Sequence, residues 1–257
     1  MIAEPISDPR PLAGIIGYGR FGKILTKILA PGFTLKVYDP FLQEIPKEFH
    51  CDTLPDALQG SMVFVAVPIR SFQTAITQIA PFLGKQTTVI DVCSVKSYPA
   101  QVMKSCLPAF TGIICSHPMF GPDSYSPYRE LKMVMHPLRD LYHQYEPLKL
   151  YFTGHSIRIV EMTPDDHDRF AAVSQGITHF IGRALEKTGV RSTPINTLGF
   201  NDLLGVIEQT CNDSLELFKD LQRFNPYTTE TILRLEDAIR ETHAIFNSQG
   251  GSHETER

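Results

Sequence analysis

The run Ser116-His117-Pro118-Met119-Phe120-Gly121-Pro122 sets one imidazole among two prolines and a glycine. Residues of this kind fix a turn-rich loop, and a histidine held in one can be aimed at a ligand, so His117 is the candidate general base. Taken alone, the run leaves an incidental histidine in a turn as the alternative. Upstream, Cys93-Ser94-Val95-Lys96 follows an apolar stretch. The Ser94 hydroxyl can donate and accept, which suits orienting a base or a substrate hydroxyl; the other reading makes it the cap of a helix expected over 97–103. Lys96 offers a cation to an anionic ligand.

These groups need a scaffold, and the N-terminal quarter supplies its signature. An apolar stretch at 12–16 runs into Gly17-Tyr18-Gly19-Arg20-Phe21-Gly22 and then a helical pattern through Leu29. In such a strand, turn and helix, Gly17 makes the tight turn, Gly19 admits a pyrophosphate to the backbone, and Gly22 packs the helix close to the strand. Arg20 and Phe21 complete the cofactor-binding run at the helix start, whose amides serve phosphates. A second strand at 34–38 ends at Asp39, about twenty residues on, where a carboxylate holds the ribose hydroxyls. A 2′-phosphate would be repelled there and Pro40-Phe41 brings no arginine to receive it, so NAD is expected, with NADP as the alternative. A plain turn residue before proline is the other reading of Asp39.

With 24 Lys+Arg against 28 Asp+Glu, the net charge of −4 gives no basic footprint for nucleic acid. No apolar run approaches the roughly eighteen residues that cross a membrane, and the proline-rich start at 1–11 lacks the apolar core of a secretion signal. The five cysteines never form a C-x-x-C pair and the nine histidines no H-x-x-x-H cluster. Free thiols in a reducing, cytoplasmic compartment and no metal are expected.

Apolar strands at 62–67 and 87–92, shorter ones at 113–115 and 133–135, and a helix at 71–79 alternate β with α. Strands without polar alternation lie in a parallel sheet covered on both faces, here a Rossmann-like domain over 1–160. Ligands bind such sheets at the carboxyl ends of the strands, where the loops after Ile16, Val92 and Cys115 emerge. After a last strand at 156–162, helical periodicity dominates residues 161–246, and the tail at 247–257 is expected to be disordered. Thr163-Pro164-Asp165-Asp166 starts a helix: a capping hydroxyl, a first-turn proline and two carboxylates suited to the dipole. That helix puts Phe170, Val173, Ile177, Phe180, Ile181 and Ala184 on one side, with Gln175 and His179 on the other, toward solvent or a cleft. A long helix at 201–224 places Asp213 on an apolar stripe, where a carboxylate needs a partner from the protein, a second subunit or a cationic ligand, unless the helix breaks near Asn212. A final helix at 228–246 adds another apolar face. Together these faces exceed what roughly 90 residues bury alone, so a homodimer is expected.

The glycine run at 17–22, Ser94-Val95-Lys96, the run from His117 to Pro122, Ser174-Gln175-Gly176-Ile177-Thr178-His179 and Ser192-Thr193-Pro194-Ile195-Asn196-Thr197 occur in an order that resembles the prephenate/arogenate dehydrogenases, most like the plant-type arogenate branch. The resemblance covers nearly the whole chain. It implies an α/β nucleotide-binding domain followed by an all-helical dimerisation domain, and a small-molecule substrate, arogenate or prephenate, decarboxylated oxidatively to a phenol in tyrosine biosynthesis. It further implies that His117 accepts the proton of the ring hydroxyl, that Ser94 holds that hydroxyl and the imidazole, and that Gln175, Thr178, His179 and Thr197 contact the substrate. Asp213 becomes the discriminator, welcoming the ammonium that arogenate has and prephenate lacks. Leu198 stands where plant relatives carry lysine, and 199–201 lack the arginine of the bacterial enzymes, leaving Arg183, Arg191 and Lys96 for the substrate carboxylate. Plant-type relatives commonly favour NADP, against which Asp39 argues for NAD. Neither a regulatory domain nor a plastid transit segment is expected. The competing classes are an imine or 3-hydroxyacid reductase of similar architecture, which gives no reason for the Ser94 and His117 pair, and a non-catalytic NAD sensor, which would tolerate loss of His117.

Overall fold

The computed structural model describes residues 10–41, 44–126, 128 and 130–248, and the chain divides into two units, Met1–His167 and Asp168–Arg257. In the first, Leu12–Ile16 (β1) passes through the glycine turn into Arg20–Leu29 (α1) and returns as Thr34–Tyr38 (β2). The alternation continues through Leu54–Ala57 (α2), Met62–Val65 (β3), Phe72–Ile79 (α3), Thr88–Asp91 (β4), Ser97–Cys106 (α4) and Gly112–Pro118 (β5). Leu131–Arg139 (β6), Tyr145–Gly154 (α5) and Ile157–Glu161 (β7) finish the sheet, and Pro164–Ala171 (α6) spans the boundary between the units.

The strand order is β2-β1-β3-β4-β5-β6-β7. β1 through β5 are parallel, and β3 and β4 are buried along their whole length, as uninterrupted apolar strands require. The all-parallel expectation needs one correction, because β6 runs antiparallel to β5 and β7 then runs parallel to β6. Among the described residues no helix intervenes between β5 and β6, and without a crossover the returning strand pairs antiparallel. β5 and β6 are also longer than the expected strands at 113–115 and 133–135. Pro118 is the last residue of β5, and Pro137 pairs with Ile114 beside a register shift, positions where a missing N–H costs the ladder little. Leu25, Ile28 and Leu29 of α1 share a core with Ile15, Val37, Phe64, Ile90 and Ile114.

In the second unit α6 runs into a π-helical turn, Ala172–Gly176, followed by Ile177–Thr188 (α7), Leu198–Cys211 (α8), Leu215–Phe224 (α9) and Thr228–Ser248 (α10). Gly189, at φ 75, closes α7 in the left-handed conformation. A Cβ at Gly182 would lie 2.1 Å from Thr210 Oγ1, so α7 and α8 meet at a contact that only glycine permits. The long helix expected at 201–224 is instead two, broken at 212–214. Ser214 caps the second piece, its hydroxyl accepting from the Leu217 amide at 3.1 Å. Residues 249–257 of the tail lie outside the described residues, and Asn247 and Ser248 belong to α10.

Candidate active site

Three loops leave the carboxyl ends of β1, β2 and β4, and the chemistry gathers there and on β5. At β1, Gly17 has φ +99, and a Cβ on it would sit 2.5 Å from the Ala66 carbonyl oxygen. A Cβ on Gly22 would sit 2.3 Å from the Gly17 carbonyl oxygen, whereas one on Gly19 would meet nothing within 4 Å. Gly17 and Gly22 thus set the turn and the close helix, and Gly19 faces open space at the start of α1, where no side chain caps the helix. That opening at a helix N-terminus fits a pyrophosphate. Asp39 stands at the end of β2 with its carboxylate fixed by two backbone amides, Tyr18 N–H at 2.8 Å and Phe41 N–H at 2.9 Å. The carboxylate is therefore tied to the glycine turn itself. The other two residues of the run do different things: the Arg20 guanidinium pairs with Asp123 at 2.9 Å, and the Phe21 ring packs on Phe120, 6.1 Å between centroids.

His117 is not on a loop. It pairs with Val134 in the β5/β6 ladder, is 3% exposed, and has Nδ1 2.8 Å from Nε2 of His167 on α6, itself 2% exposed. Burial, then the charges of His167 and Lys96, hold the His117 pKa well below the ordinary histidine range. The imidazole is consequently neutral at pH 7, the state a general base requires. Ser94 neither caps α4, where Lys96 occupies the cap position, nor bonds His117. Half-buried in the loop after β4, it has no side-chain hydrogen bond among the described residues.

Lys96 also departs from expectation. Its side chain is 1% exposed and its ammonium contacts Asp91 Oδ1 and the Ser116 carbonyl. Asp91 further accepts from the Cys93 amide at 3.1 Å, and the Ser116 hydroxyl donates to the Asp91 carbonyl at 2.6 Å. Lys96 is thus a buried strut between β4 and β5, unavailable to a substrate carboxylate. The Ser97 hydroxyl reaches the Pro164 carbonyl at 3.3 Å, tying the same loop to the start of α6. There Thr163 caps the helix as expected, accepting from the Asp166 amide at 3.2 Å.

In the helical unit the expected faces hold only in part, with Ile177, Phe180 and Ile181 half-buried and Ala184 exposed. Phe170 and Val173 are 62% and 53% exposed, while His179 is 8% exposed and Gln175 and Thr178 are half-buried. The π-helical turn adds a residue to one turn and shifts the faces that a 3.6 period would give. Burial lowers the His179 pKa, with Asp213 opposing and Arg183 reinforcing that shift, and its Nδ1 is buried without a hydrogen-bond partner among the described residues. Asp213 sits in the break between α8 and α9, half-buried, so it is not the apolar-stripe carboxylate that an unbroken helix implies. Its carbonyl accepts from Arg183 Nη2, which also reaches the Thr210 carbonyl at 3.2 Å, while Arg183 Nε is buried with no hydrogen-bond partner among the described residues. Asp213, His179 and Arg183 therefore form one cluster. Thr197 lies apart from it as the exposed cap of α8, accepting from the Phe200 amide at 3.3 Å, and Arg191 is exposed beside Glu186 at 3.7 Å.

His167 escaped the sequence reading. Its signal was a histidine in the first turn of a well-marked helix, but a partner fifty positions away cannot be read from spacing. Among the described residues no group of His, Cys, Asp and Glu could hold a metal, and no helix is long and apolar enough to cross a membrane.

Two family models match: prephenate dehydrogenase, nucleotide-binding domain, over residues 43–134, and TYRAAT1-like, C-terminal domain, over 184–253. The glycine run precedes the first match, so the cofactor turn rests on its own geometry. Arogenate dehydrogenase 2, chloroplastic, of Arabidopsis thaliana is 34% identical over 245 residues, covering 88% of this chain and 67% of that protein. Arogenate dehydrogenase 1, chloroplastic, of the same plant is 33% identical over 88% of this chain, which spans only 38% of the relative's length. Prephenate dehydrogenase of A. aeolicus, solved with hydroxyphenyl propionate and NAD+, shares the fold at a TM-score of 0.72 and 18% identity, over 96% of this chain and 94% of that one. With a nucleotide turn, a buried neutral histidine on β5 and relatives aligned along most of its length, the chain belongs to the prephenate/arogenate dehydrogenase family.

Proposed function

We propose that the protein oxidises arogenate to tyrosine and carbon dioxide with NAD as hydride acceptor, acting as a cytoplasmic homodimer. The observation that carries the reading is His117: neutral, buried and anchored through Nδ1, with Nε2 left without a protein partner among the described residues. Nε2 takes the proton of the ring hydroxyl as that carbon becomes a carbonyl, and aromatisation drives loss of carbon dioxide, so the protein's task is to position and deprotonate. The bound nicotinamide supplies the acceptor for the hydride that leaves the same carbon. Ser94, whose hydroxyl has no hydrogen-bond partner among the described residues, orients the ring hydroxyl toward His117. Gln175, Thr178, His179 and Thr197 contact the rest of the substrate.

Asp213 sets the choice of substrate by receiving the ammonium of arogenate. Of the three candidate cations, Arg183 is the one beside Asp213, and it serves the carboxylate of the same side chain. Asp213→Asn is expected to lower kcat/KM for arogenate about tenfold, the equivalent of about 1.4 kcal/mol, while leaving prephenate unchanged or improved. An unaltered ratio of the two kcat/KM values would sink this assignment.

Asp39 sets the choice of nucleotide. With both of its oxygens fixed by amides it cannot swing away from a 2′-phosphate, so NADP meets a charge that stays in place. Removing the charge in Asp39→Asn should narrow the NAD over NADP preference in kcat/KM by about tenfold or more. Equal preference in the unaltered protein would contradict the role.

Homodimerisation rests on the exposed apolar residues of the helical unit, among them Phe170, Val173, Leu198, Leu203, Leu233 and Ile239. Sedimentation equilibrium should return twice the chain mass. The free thiols accord with a reducing compartment.

A further inference from the structure

We propose that His167 is a positioning residue for the reaction: by accepting the Nδ1–H of His117 it fixes the tautomer that leaves a lone pair on His117 Nε2. The inference rests on the reading of His117 as the base. The geometry is that of a dedicated pair. Nδ1 of one ring lies 2.8 Å from Nε2 of the other, the rings are nearly perpendicular at 72°, and both residues are buried. Two imidazoles joined in this way share one proton, and only one arrangement is productive. If His167 donated, His117 would carry its hydrogen on Nε2 and could not accept another.

The surroundings explain why a neutral ring occupies this place. Among the described residues the groups whose charge acts on His117 are His167 and Lys96, the latter anchored to the carbonyl of the neighbouring Ser116 and paired with Asp91. A carboxylate in place of His167 would stabilise the imidazolium and hold the base protonated. An imidazole at this place on α6 can orient His117 without setting a formal negative charge beside it. Once a proton arrives at His117 Nε2, the Nδ1 proton is already directed at the His167 lone pair, so the positive charge is shared by two buried rings.

Each partner is fixed by its own element. His117 lies in the β5/β6 ladder, and α6 is held at its start by the Thr163 cap and by Ser97 on the Pro164 carbonyl. The pair is thus set by the backbone of the first unit.

The test uses the full chain labelled with ¹⁵N-histidine, read by long-range ¹H–¹⁵N correlation at neutral pH and by steady-state kinetics with arogenate and NAD. Unaltered protein should show His117 protonated at Nδ1 and bare at Nε2; the opposite tautomer would overturn the inference with no variant needed. His167→Phe fills the space without an acceptor and should lose that signature and about 10- to 100-fold in kcat, with both KM values within about twofold. His167→Gln, whose amide oxygen can stand where Nε2 stood, should keep the tautomer and most of the rate. A Phe variant that keeps kcat, or loses it with the His117 tautomer intact, refutes the positioning role. His117→Asn separates the two claims: if it stays active the base reading itself fails, and if it is inactive while His167→Phe turns over normally only the present inference fails.

Discussion

Replacing His117 by Asn lowers kcat by a factor of about 10² to 10⁴, the range a positioned general base supplies, and leaves nucleotide affinity within about twofold. In barrier terms that is roughly 3 to 5 kcal/mol, far more than a packing change at a strand end contributes. Asparagine is smaller, but its amide can stand where Nδ1 stood and still meet His167, so β5 should remain in its ladder. Titration with NADH by fluorescence reports the cofactor turn, which lies on β1 and α1 and shares no side chain with His117. The same residue governs the response to acid. Its folded pKa is depressed, so in the window below the ordinary histidine value of about 6.5 the unfolded chain binds a proton that the folded chain refuses, and stability falls as pH falls. His179, also depressed by burial, acts in the same direction. Thermal melts between about pH 7.5 and 5.5 should show this loss, and His117→Asn should reduce its slope. The acid limb of kcat/KM should likewise lie below the usual histidine range.

Breaking the Asp91 and Lys96 pair has the largest expected effect on stability. Both side chains are essentially inaccessible, and the Lys96 ammonium is held by Asp91 and the Ser116 carbonyl. Asp91→Asn leaves a buried ammonium facing a neutral amide, which should cost about 3 to 5 kcal/mol. For a chain of this size the melting temperature should then drop by roughly 6 to 20 °C. Lys96→Met should cost less, because burial already raises the pKa of Asp91 and the stranded carboxyl can take up a proton. Removing both charges in Asp91→Asn/Lys96→Met should recover much of the loss, giving a coupling well above the error of a double-mutant cycle. Additive costs would mean that the pair is not the strut described. Because Lys96 joins the loop carrying Ser94 to the carbonyl next to His117, the single variants should also lower kcat.

The nucleotide-binding half was legible because its signals are local. Glycine at 17, 19 and 22, apolar runs without alternation, and a carboxylate at the end of the second strand each prescribe their own geometry, and β1 and β2 begin and end at the expected residues. His117 was found for a reason that the structure replaces: the prolines around it read as a loop, yet Pro118 simply ends a strand. The helical half resisted because periodicity presumes an unbroken 3.6 repeat. The π-helical turn at 172–176 shifts the faces, leaving Val173 exposed and His179 buried, and nothing in Ala172-Val173-Ser174-Gln175-Gly176 announces it. The break at 212–214 was readable, since Asn212-Asp213-Ser214 carries three residues that favour caps, with an amide three positions on for Ser214 to receive. Lys96 was misjudged because a lysine in a loop after a strand gives no local sign of burial. Its partner Asp91 belonged to the expected strand at 87–92, where a lone carboxylate among apolar residues called for a cation.

The most direct test of the central claim is a steady-state assay of the purified protein with arogenate and prephenate, each with NAD and with NADP, followed by the absorbance of the reduced nicotinamide. Turnover with arogenate and NAD that exceeds the other three combinations in kcat/KM is the predicted result. Absence of turnover in all four, from protein that still binds NADH, would contradict the assignment of His117 as the base of a dehydrogenase.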